Sequence, residues 1–376
     1  MAVAEQETTR LAAREGDLSQ MKRAETRTAL LFMVPAAIGL LAFLIVPFFM
    51  AFYLSMTDTR LISPDPADFI GLENYRDLSR FRIITLEPEV DEATGEVLRD
   101  EATGEMLYPR ARTILRGDDR YAGLRELDQV NLFGQRYLLA AGDPTFVRSL
   151  KNNFYFVLVV VPLQTALALL LALLVNQKIR GSNLFRTIYF SPVVTTMVVV
   201  AVVWTFLYNP TEGTINAFIE MISFGQLGPY DWLGNPKLAF PAIMLLSVWQ
   251  GVGFQMVIFL AGLQEISEEI YEAAAIDGAN PFQTFFSITL PQLRNTTIFV
   301  VLATTILAFQ LFTQVDVMTN GGPSEATMTT ILHVVDQGFR EQRIGYASAL
   351  TVTFFVIVLG ISILQRMLIR EERAVD

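Results

Sequence analysis

Six stretches of this chain contain no Asp, Glu, Lys or Arg: residues 28–57, 152–177, 187–211, 238–264, 295–315 and 344–365, each 21 to 30 residues long. An α-helix rises about 1.5 Å per residue and the hydrocarbon core of a bilayer is about 30 Å thick, so every stretch is long enough to cross it. Helices of soluble proteins average about 11 or 12 residues, and six uncharged runs of this length are foreign to them. The reading is an all-α integral membrane protein with six transmembrane helices.

Lys and Arg set the expected orientation. Lys22, Arg23 and Arg27 precede the first span, Lys178, Arg180 and Arg186 crowd the link between spans two and three, and Arg366, Arg370 and Arg373 follow the last. The link 212–237 carries only Lys237. The positive-inside rule then puts both termini in the cytoplasm, with residues 1–27 as a cytoplasmic N-terminal segment and 371–376 as a cytoplasmic tail. Residues 28–57 are too long for the apolar region of a cleaved signal peptide, and an uncleaved first span is expected.

The segment 58–151 is soluble in character and reads as an external α/β insert between spans one and two. Residues 58–150 hold 18 acidic and 12 basic side chains, hence 12 − 18 = −6 of the chain's net −10. It contains two near copies of one octapeptide, Asp91-Glu-Ala-Thr-Gly-Glu-Val-Leu98 and Asp100-Glu-Ala-Thr-Gly-Glu-Met-Leu107. Each places Gly where a tight turn wants positive φ, and two short hairpins are expected. Two readings fit the insert: a docking surface for an extracytoplasmic partner, or a passive solvated insertion. Within 214–224, Ile215, Phe218, Ile219 and Ile222 share one helical face, as an interfacial helix would.

What is missing narrows the chemistry. With no Cys and a single His, His333, the chain lacks thiolate or imidazole metal sites, and no metal or catalytic residue is assigned. His333 is expected in a polar external link with no role as ligand or base. An acidic balance argues against nucleic-acid partners. The chain contains no Gly-x-x-x-x-Gly-Lys-Ser/Thr, the loop that cradles nucleotide phosphates, so any ATP-derived energy must come from another subunit. No ionisable residue lies within the six stretches, whereas ion-coupled carriers keep such charges at mid-membrane for function. A neutral polyhydroxylated solute needs only amides, hydroxyls and aromatic faces. Ser247, Gln250 and Gly251 in span four and Thr304, Gln310 and Gln314 in span five are the candidates to line its path, with interhelical packing as the alternative for each. Trp204 and Trp249 suit either a sugar ring or the membrane interface. Pro35, Pro47, Pro162 and Pro192 lie within spans and should kink them.

Between spans four and five, residues 264–294 have a helical grammar of their own. Ser267 can cap a helix whose first turn holds Glu268 and Glu269, favourable at the positive end of its dipole. Gly278 ends it, and Asn280-Pro281 supplies a new N-cap and first helical position for a second short helix running toward Ile288, Leu290 and Pro291. Such a rigid helix, turn, helix, with small residues Ala273 to Ala275, is suited to seating in a groove of another protein.

Glu272-Ala273-Ala274, then Gly278, Ile288 and Leu290-Pro291 at their spacing, resembles the signature loop of ATP-binding-cassette importer permeases. Asp277 through Pro291 is similar to the loop of the carbohydrate-uptake, maltose-type branch. So are Thr319-Asn-Gly-Gly-Pro323, Gly345-Tyr-Ala-Ser-Ala349 and Phe69-Ile-Gly-Leu-Glu-Asn-Tyr75. The resemblance covers roughly residues 28–80 and 144–370; residues 82–143 depart from it. It implies a permease subunit of a binding-protein-dependent sugar importer in a bacterial or archaeal inner membrane. It implies as partners a second permease chain, two ATPase subunits that bind ATP and Mg, and an extracytoplasmic solute-binding protein. Glu272, Ala273, Ala274, Asp277, Gly278, Ile288, Leu290 and Pro291 would then form the ATPase-coupling element, Glu272 pairing with a basic residue there. By the same resemblance Ser247, Gln250, Gly251 and Thr304 fall at sugar-contacting positions, of which only Gly251 keeps the residue type. An importer for a non-sugar solute and an ion-coupled secondary carrier are the alternative readings.

Overall fold

The computed structural model describes residues 26–63, 66–91, 96–100, 104–177 and 181–368. Lys22, Arg23, Lys178, Arg180, Arg370 and Arg373, on which the orientation argument leans, lie outside the described residues. So do the apices of the two octapeptide repeats and most of the two terminal segments.

Long uncharged runs become long helices because, without water, backbone groups must pair within the segment. The first, α1, is Thr26–Leu54, with a π-helical turn at Leu41–Ile45 just before Pro47. A proline offers no N–H and its ring presses on the carbonyl four residues back, and a wider turn relieves both. The insert follows with α2 (Glu73–Ser79), β1 (Phe81–Leu86), α3 (Ala111–Gly117), β2 (Arg125–Leu132) and β3 (Gln135–Ala141). Then come α4 (Pro144–Asn176), α5 (Ser182–Val194), α6 (Met197–Leu207), α7 (Thr214–Ile222) and α8 (Ala239–Glu265). The chain closes with α9 (Glu268–Ile276), α10 (Pro281–Gln292), α11 (Arg294–Phe309), α12 (Thr313–Met318), α13 (Thr330–Val335) and α14 (Ile344–Leu368).

Four helices, α1, α4, α8 and α14, are each long and apolar enough to span alone. The third and fifth stretches are each broken into two helices, the third beside Pro192, one of the prolines expected to kink its span. The third is α5 and α6, which meet at 99° across Thr195 and Thr196, next to Pro192. The fifth is α11 and the start of α12; α10, which precedes the stretch in the 264–294 link, meets α11 at 65° about Leu293, whose side chain is fully buried. By length and composition the chain then has up to six spans, α5 with α6 forming the third and α11 the fifth, while α10 stays with the link before it. The second span also starts earlier than its uncharged stretch, at Pro144 instead of residue 152. Asp143 caps it by accepting the Phe146 N–H at 2.9 Å. Arg148 then carries its charge in an ion pair with Glu325 at 2.7 Å.

At the centre stands α8, the most deeply buried span, packed between α4, α5 and α11. Phe156, Tyr208, Ile243, Leu246, Leu311 and Leu332 belong to the core nearer the insert. Met256, Phe259, Leu263 and Leu293 belong to the core nearer α9. The α1 helix lies at the periphery with its apolar side chains exposed, as a surface meant for lipid or a partner helix.

The insert is built on a three-stranded antiparallel sheet, order β1-β3-β2, that the sequence reading had not placed. Its β2–β3 hairpin pairs Leu132 with Gln135 across Phe133 (φ 51°) and Gly134 (φ 80°), the left-handed pair that suits strand twist. Leu138 and Ala140 of β3 are fully buried against Leu86 and the α3 residues Ala111 and Leu115. The two repeats form bridges Val90–Val97 and Arg99–Met106 at the bases of the expected hairpins. Three residues nine apart then close a ring of backbone bonds: Leu98 N donates to Glu89 O, Leu107 N to Leu98 O, and Glu89 N to Leu107 O, each at 2.8 or 2.9 Å.

Two clamps fix this insert to the bundle. Arg148 donates to Glu325 and, at 2.6 Å, to Leu127 O of β2, so one guanidinium joins α4, the insert and the loop after α12. The other is the cluster around Asp143, described below.

Candidate functional site

The six candidates of spans four and five come together on the wall of one cavity of about 300 Å³ between α4, α5, α6, α8, α11 and α12. Ser247, Gln250 and Gly251 recur at the three- and four-residue spacing that keeps one face of α8 turned inward. Thr304 comes from α11. Gln310 and Gln314 were expected within span five, but α11 ends at Phe309; Gln310 caps it and Gln314 lies on the separate α12. They reach the cavity because the chain turns there. Gln314 Nε2 donates to Ser247 Oγ at 3.3 Å, and Ser247 Oγ donates to Ile243 O at 2.8 Å. Among the described residues, no ionisable side chain lines this cavity.

Two wall residues escaped the sequence reading. Gln255, one turn beyond Gly251, donates through Nε2 to Thr304 Oγ1 at 2.6 Å. Gln164 of α4 reaches across Gly251 so closely that a Cβ there would lie 1.9 Å from its Nε2. Spacing within α8 pointed to Gln255; nothing in the sequence pointed to Gln164, whose neighbour lies on another helix. Trp204 and Trp249 do not line the cavity. They pack on each other at 5.5 Å and start an aromatic chain through Tyr208 and Trp232 to Tyr230, the tryptophans and tyrosines serving each other as apolar partners.

The helix, turn, helix at the other end of α8 has the geometry its residues dictate. Ser267 Oγ accepts the Glu269 N–H at 3.3 Å. At the C-terminus of α9, Ala279 N donates to Ala274 O and Gly278 N to Ala275 O, with Gly278 at φ 77°. These two bonds form the Schellman pattern, which requires a left-handed residue where Gly278 stands. Asn280 and Gln283 cap α10 reciprocally, each side chain holding the other's backbone N–H at 2.9 Å. Tyr271 and Thr289 hydroxyls meet at 3.1 Å and tie the two helices together over the buried Ala274. Ile288 and Leu290 are half-buried on the inner side, while Glu272, Ala273, Asp277, Gly278 and Pro291 face out. Beside them stand three large apolar side chains that sequence reasoning did not single out: Ile276 at 85% exposure, Phe282 at 74% and Phe286 at 50%. An apolar cluster on a charged and polar loop marks a contact surface.

His333 lies on α13, in the link before the last span, and is buried there because Asp143, 190 residues earlier in sequence, sits beside it. Asp143 Oδ2 accepts from His333 Nε2 at 2.7 Å and from the Tyr346 hydroxyl at 2.7 Å, while Oδ1 takes the Phe146 N–H. Burial alone would raise the Asp143 carboxyl. The bond and charge of His333, the Phe146 N–H and the Tyr346 hydroxyl outweigh it and bring the pKa down to about 2. The carboxylate is therefore ionised, and His333 carries its proton on Nε2. No metal-binding group of three or more His, Asp or Glu exists among the described residues, and this cluster is a structural joint between insert, α4, α13 and α14.

A bundle of spans that encloses a charge-free polar cavity and exposes a capped helix pair at one end defines a solute-conducting membrane subunit. The chain belongs to the family described as binding-protein-dependent transport system inner membrane component, which it matches over residues 164–373. It is therefore a multi-pass membrane transport subunit. Relatives include the probable ABC transporter permease protein YurN of Bacillus subtilis, 34% identical over 233 residues, 61% of this chain and 80% of that one. The trehalose/maltose transport system permease protein MalF of Thermococcus litoralis is 35% identical over 61% of this chain and 76% of its own length. The diacetylchitobiose uptake system permease protein NgcF of Streptomyces coelicolor is 33% identical over 58% and 64%. In fold, the chain is similar to one from a bacterial ABC transporter involved in the import of the acidic polysaccharide alginate. That likeness has a TM-score of 0.65 at 17% identity and covers 93% of this chain and 98% of the other.

Proposed function

We propose that this chain is the permease subunit of an ATP-driven importer for a neutral sugar, a disaccharide, short oligosaccharide or related glycoside. The observation that carries the substrate class is the cavity wall, which offers the carboxamides of Gln164, Gln250, Gln255, Gln310 and Gln314 and the hydroxyls of Ser247 and Thr304, and no charge. Carboxamides donate and accept at once, as sugar hydroxyls do, and an anionic solute would leave its charge unpaired there. Sugar names among the relatives agree with this class.

The rest of the assembly follows from the same reading. Both termini and the α9–α10 loop face the cytoplasm, and the insert faces outward. Two separate ATPase subunits bind ATP and Mg; one of them takes the α9–α10 loop in a cleft, with Glu272 against a basic residue and Ile276, Phe282 and Phe286 against apolar ones. A second permease chain completes the path, and an external solute-binding protein delivers the sugar to the insert-bearing end.

The test is uptake into proteoliposomes holding this chain with the permease, ATPase and binding protein encoded beside it. ATP-dependent accumulation of neutral disaccharides in preference to glycerol phosphate or uronate oligomers is expected. Accumulation driven by an ion gradient without nucleotide would overturn the importer reading, and preference for the anionic solutes would overturn the substrate class.

A further inference from the structure

Two groups in the cavity wall are left without partners, and they define its inner tier. Gln164 is only 7% exposed, yet its carboxamide makes no hydrogen bond to another described residue and borders the cavity. Buried carboxamides are nearly always paired, and an unpaired one facing a cavity is a place for a ligand or water. Its position is held open by Gly251. A Cβ at 251 would stand 1.9 Å from Gln164 Nε2 and 3.1 Å from its Cδ, so any other residue there must displace the amide. Across the wall, Gln255 Nε2 donates to Thr304 Oγ1, which leaves the Thr304 hydroxyl proton free to donate inward. Gln255 Oε1 is buried with no partner among the described residues, and it is the Nε2 bond that orients Thr304.

We propose that Gln164 and Thr304 form an inner sugar subsite in which the Gln164 carboxamide and the Thr304 hydroxyl hold hydroxyls of the leading sugar unit, and that Gly251 is required to seat Gln164 there. The proposal rests on the importer reading above and adds to it a specificity-determining residue from a different helix. It also gives Gly251 a role other than leaving room for the sugar itself: the space of its missing side chain belongs to Gln164. The outer tier, where Ser247 and Gln314 are already bonded to each other, has less free capacity and serves passage more than recognition.

The test uses the reconstituted complex with saturating binding protein, a neutral disaccharide that the wild type accumulates, and its monodeoxy analogues. Wild-type uptake should favour the parent over at least one analogue by about three- to ten-fold, the effect of one hydrogen bond. Gln164→Leu, of similar volume, should abolish that preference while complex assembly stays as in the wild type. Gly251→Ala should do the same in the wild-type background and nothing further in the Gln164→Leu background, the mark of two changes on one interaction. Equal preference in wild type and Gln164→Leu would overturn the subsite. Equal harm from Gly251→Ala with and without Gln164 would show that the glycine makes room for the sugar, and would overturn its assigned role. If the wild-type complex accumulates no neutral disaccharide at all, the importer reading fails first and the subsite with it, an outcome visible before any variant is made.

Discussion

Replacing Asp143 should loosen the insert from the bundle, and the size of the effect follows from what its carboxylate holds. Three donors end on it: His333 Nε2, the Tyr346 hydroxyl and the Phe146 N–H, at 2.7, 2.7 and 2.9 Å. Asp143→Ala leaves all three buried and unpaired and removes the cap of α4. Breaking a buried pair of this kind costs about 3–5 kcal/mol. Asp143→Asn keeps one acceptor oxygen for the cap but loses the charge, and should cost about half as much. The wild type should show the same joint through pH. The Asp143 pKa falls from 3.8 to about 2 on folding. A depressed carboxylate contributes stability that is complete above the unfolded value and is lost as pH falls through the folded one. About 2 kcal/mol should therefore disappear between pH 4 and pH 2. Hydrogen exchange in β1 and β3, followed in detergent, reads the joint directly. In the wild type those amides should lose protection across that window, and in Asp143→Asn they should be less protected at neutral pH with a flatter response to acid. Unchanged protection in Asp143→Asn, or a flat wild-type profile from pH 4 to pH 2, would refute the reasoning.

Three further outcomes are expected. No atom stands within 4 Å of a Cβ at Gly278, so substitution there meets only the left-handed backbone, a cost of about 1–2 kcal/mol. Gly278→Asn, which tolerates that conformation, should keep the ratio of sugar transported to ATP hydrolysed near wild type, whereas Gly278→Val should lower it. Arg148→Ala removes both the Glu325 pair and the bond to Leu127 O. Faster exchange at the β2 amides and easier proteolysis within residues 319–328 are expected together, and one without the other would count against a shared clamp. Asn216 is buried and accepts from Trp232 Nε1 at 2.9 Å and Tyr230 N at 3.2 Å. Asn216→Leu should lower the melting temperature of the purified chain by the cost of two unpaired donors, about 1–3 kcal/mol each.

What the sequence made legible was whatever is decided locally. Ser267, Gly278 and Asn280-Pro281 state where α9 and α10 start and stop, because capping and left-handed turns are settled within a few residues of chain. The uncharged stretches located the spans for the same reason, though not their ends. Arg148 and Lys151 lie inside α4, since a helix continues past the apolar slab wherever a partner such as Glu325 takes the charge. The bend at Thr195–Thr196 was signalled by Pro192, though not its size, and the one at Leu293 was hidden because hydropathy carries no direction. The insert's sheet went unread because its hairpin turns on Phe133-Gly134, and Phe is rarely found at a left-handed position. The burial of His333 was not legible for a further reason. A lone histidine can be assessed only with its neighbours in space, and Asp143 and Tyr346 come from α4's cap and α14. In the cavity, Gln255 was recoverable from helical spacing on α8, while Gln164 and its fit over Gly251 required the packing of two spans.

The placement of the cavity explains why the α9–α10 loop is suited to govern it. The two spans that leave the loop, α8 and α11, are the ones that carry Ser247, Gln250, Gly251, Gln255 and Thr304. From Gly251 to Glu265 the α8 helix is unbroken and contains no proline, a rod of about 20 Å at 1.5 Å per residue. On the other side, Leu293 is fully buried at the bend, and a Cβ at Gly262 would stand 2.7 Å from Thr296 Oγ1, so the foot of α11 is pressed against α8. Higher up, the Gln255–Thr304 bond joins α8 to α11 at cavity level, and the Gln314–Ser247 bond joins α8 to α12. The two spans are thus joined at the foot by packing and at the wall by a hydrogen bond. A displacement of the loop is therefore passed directly to two spans that line the cavity. The α1 helix, with its π turn and exposed apolar surface, shares none of these ties and is free to remain with lipid or a partner helix while the walls move.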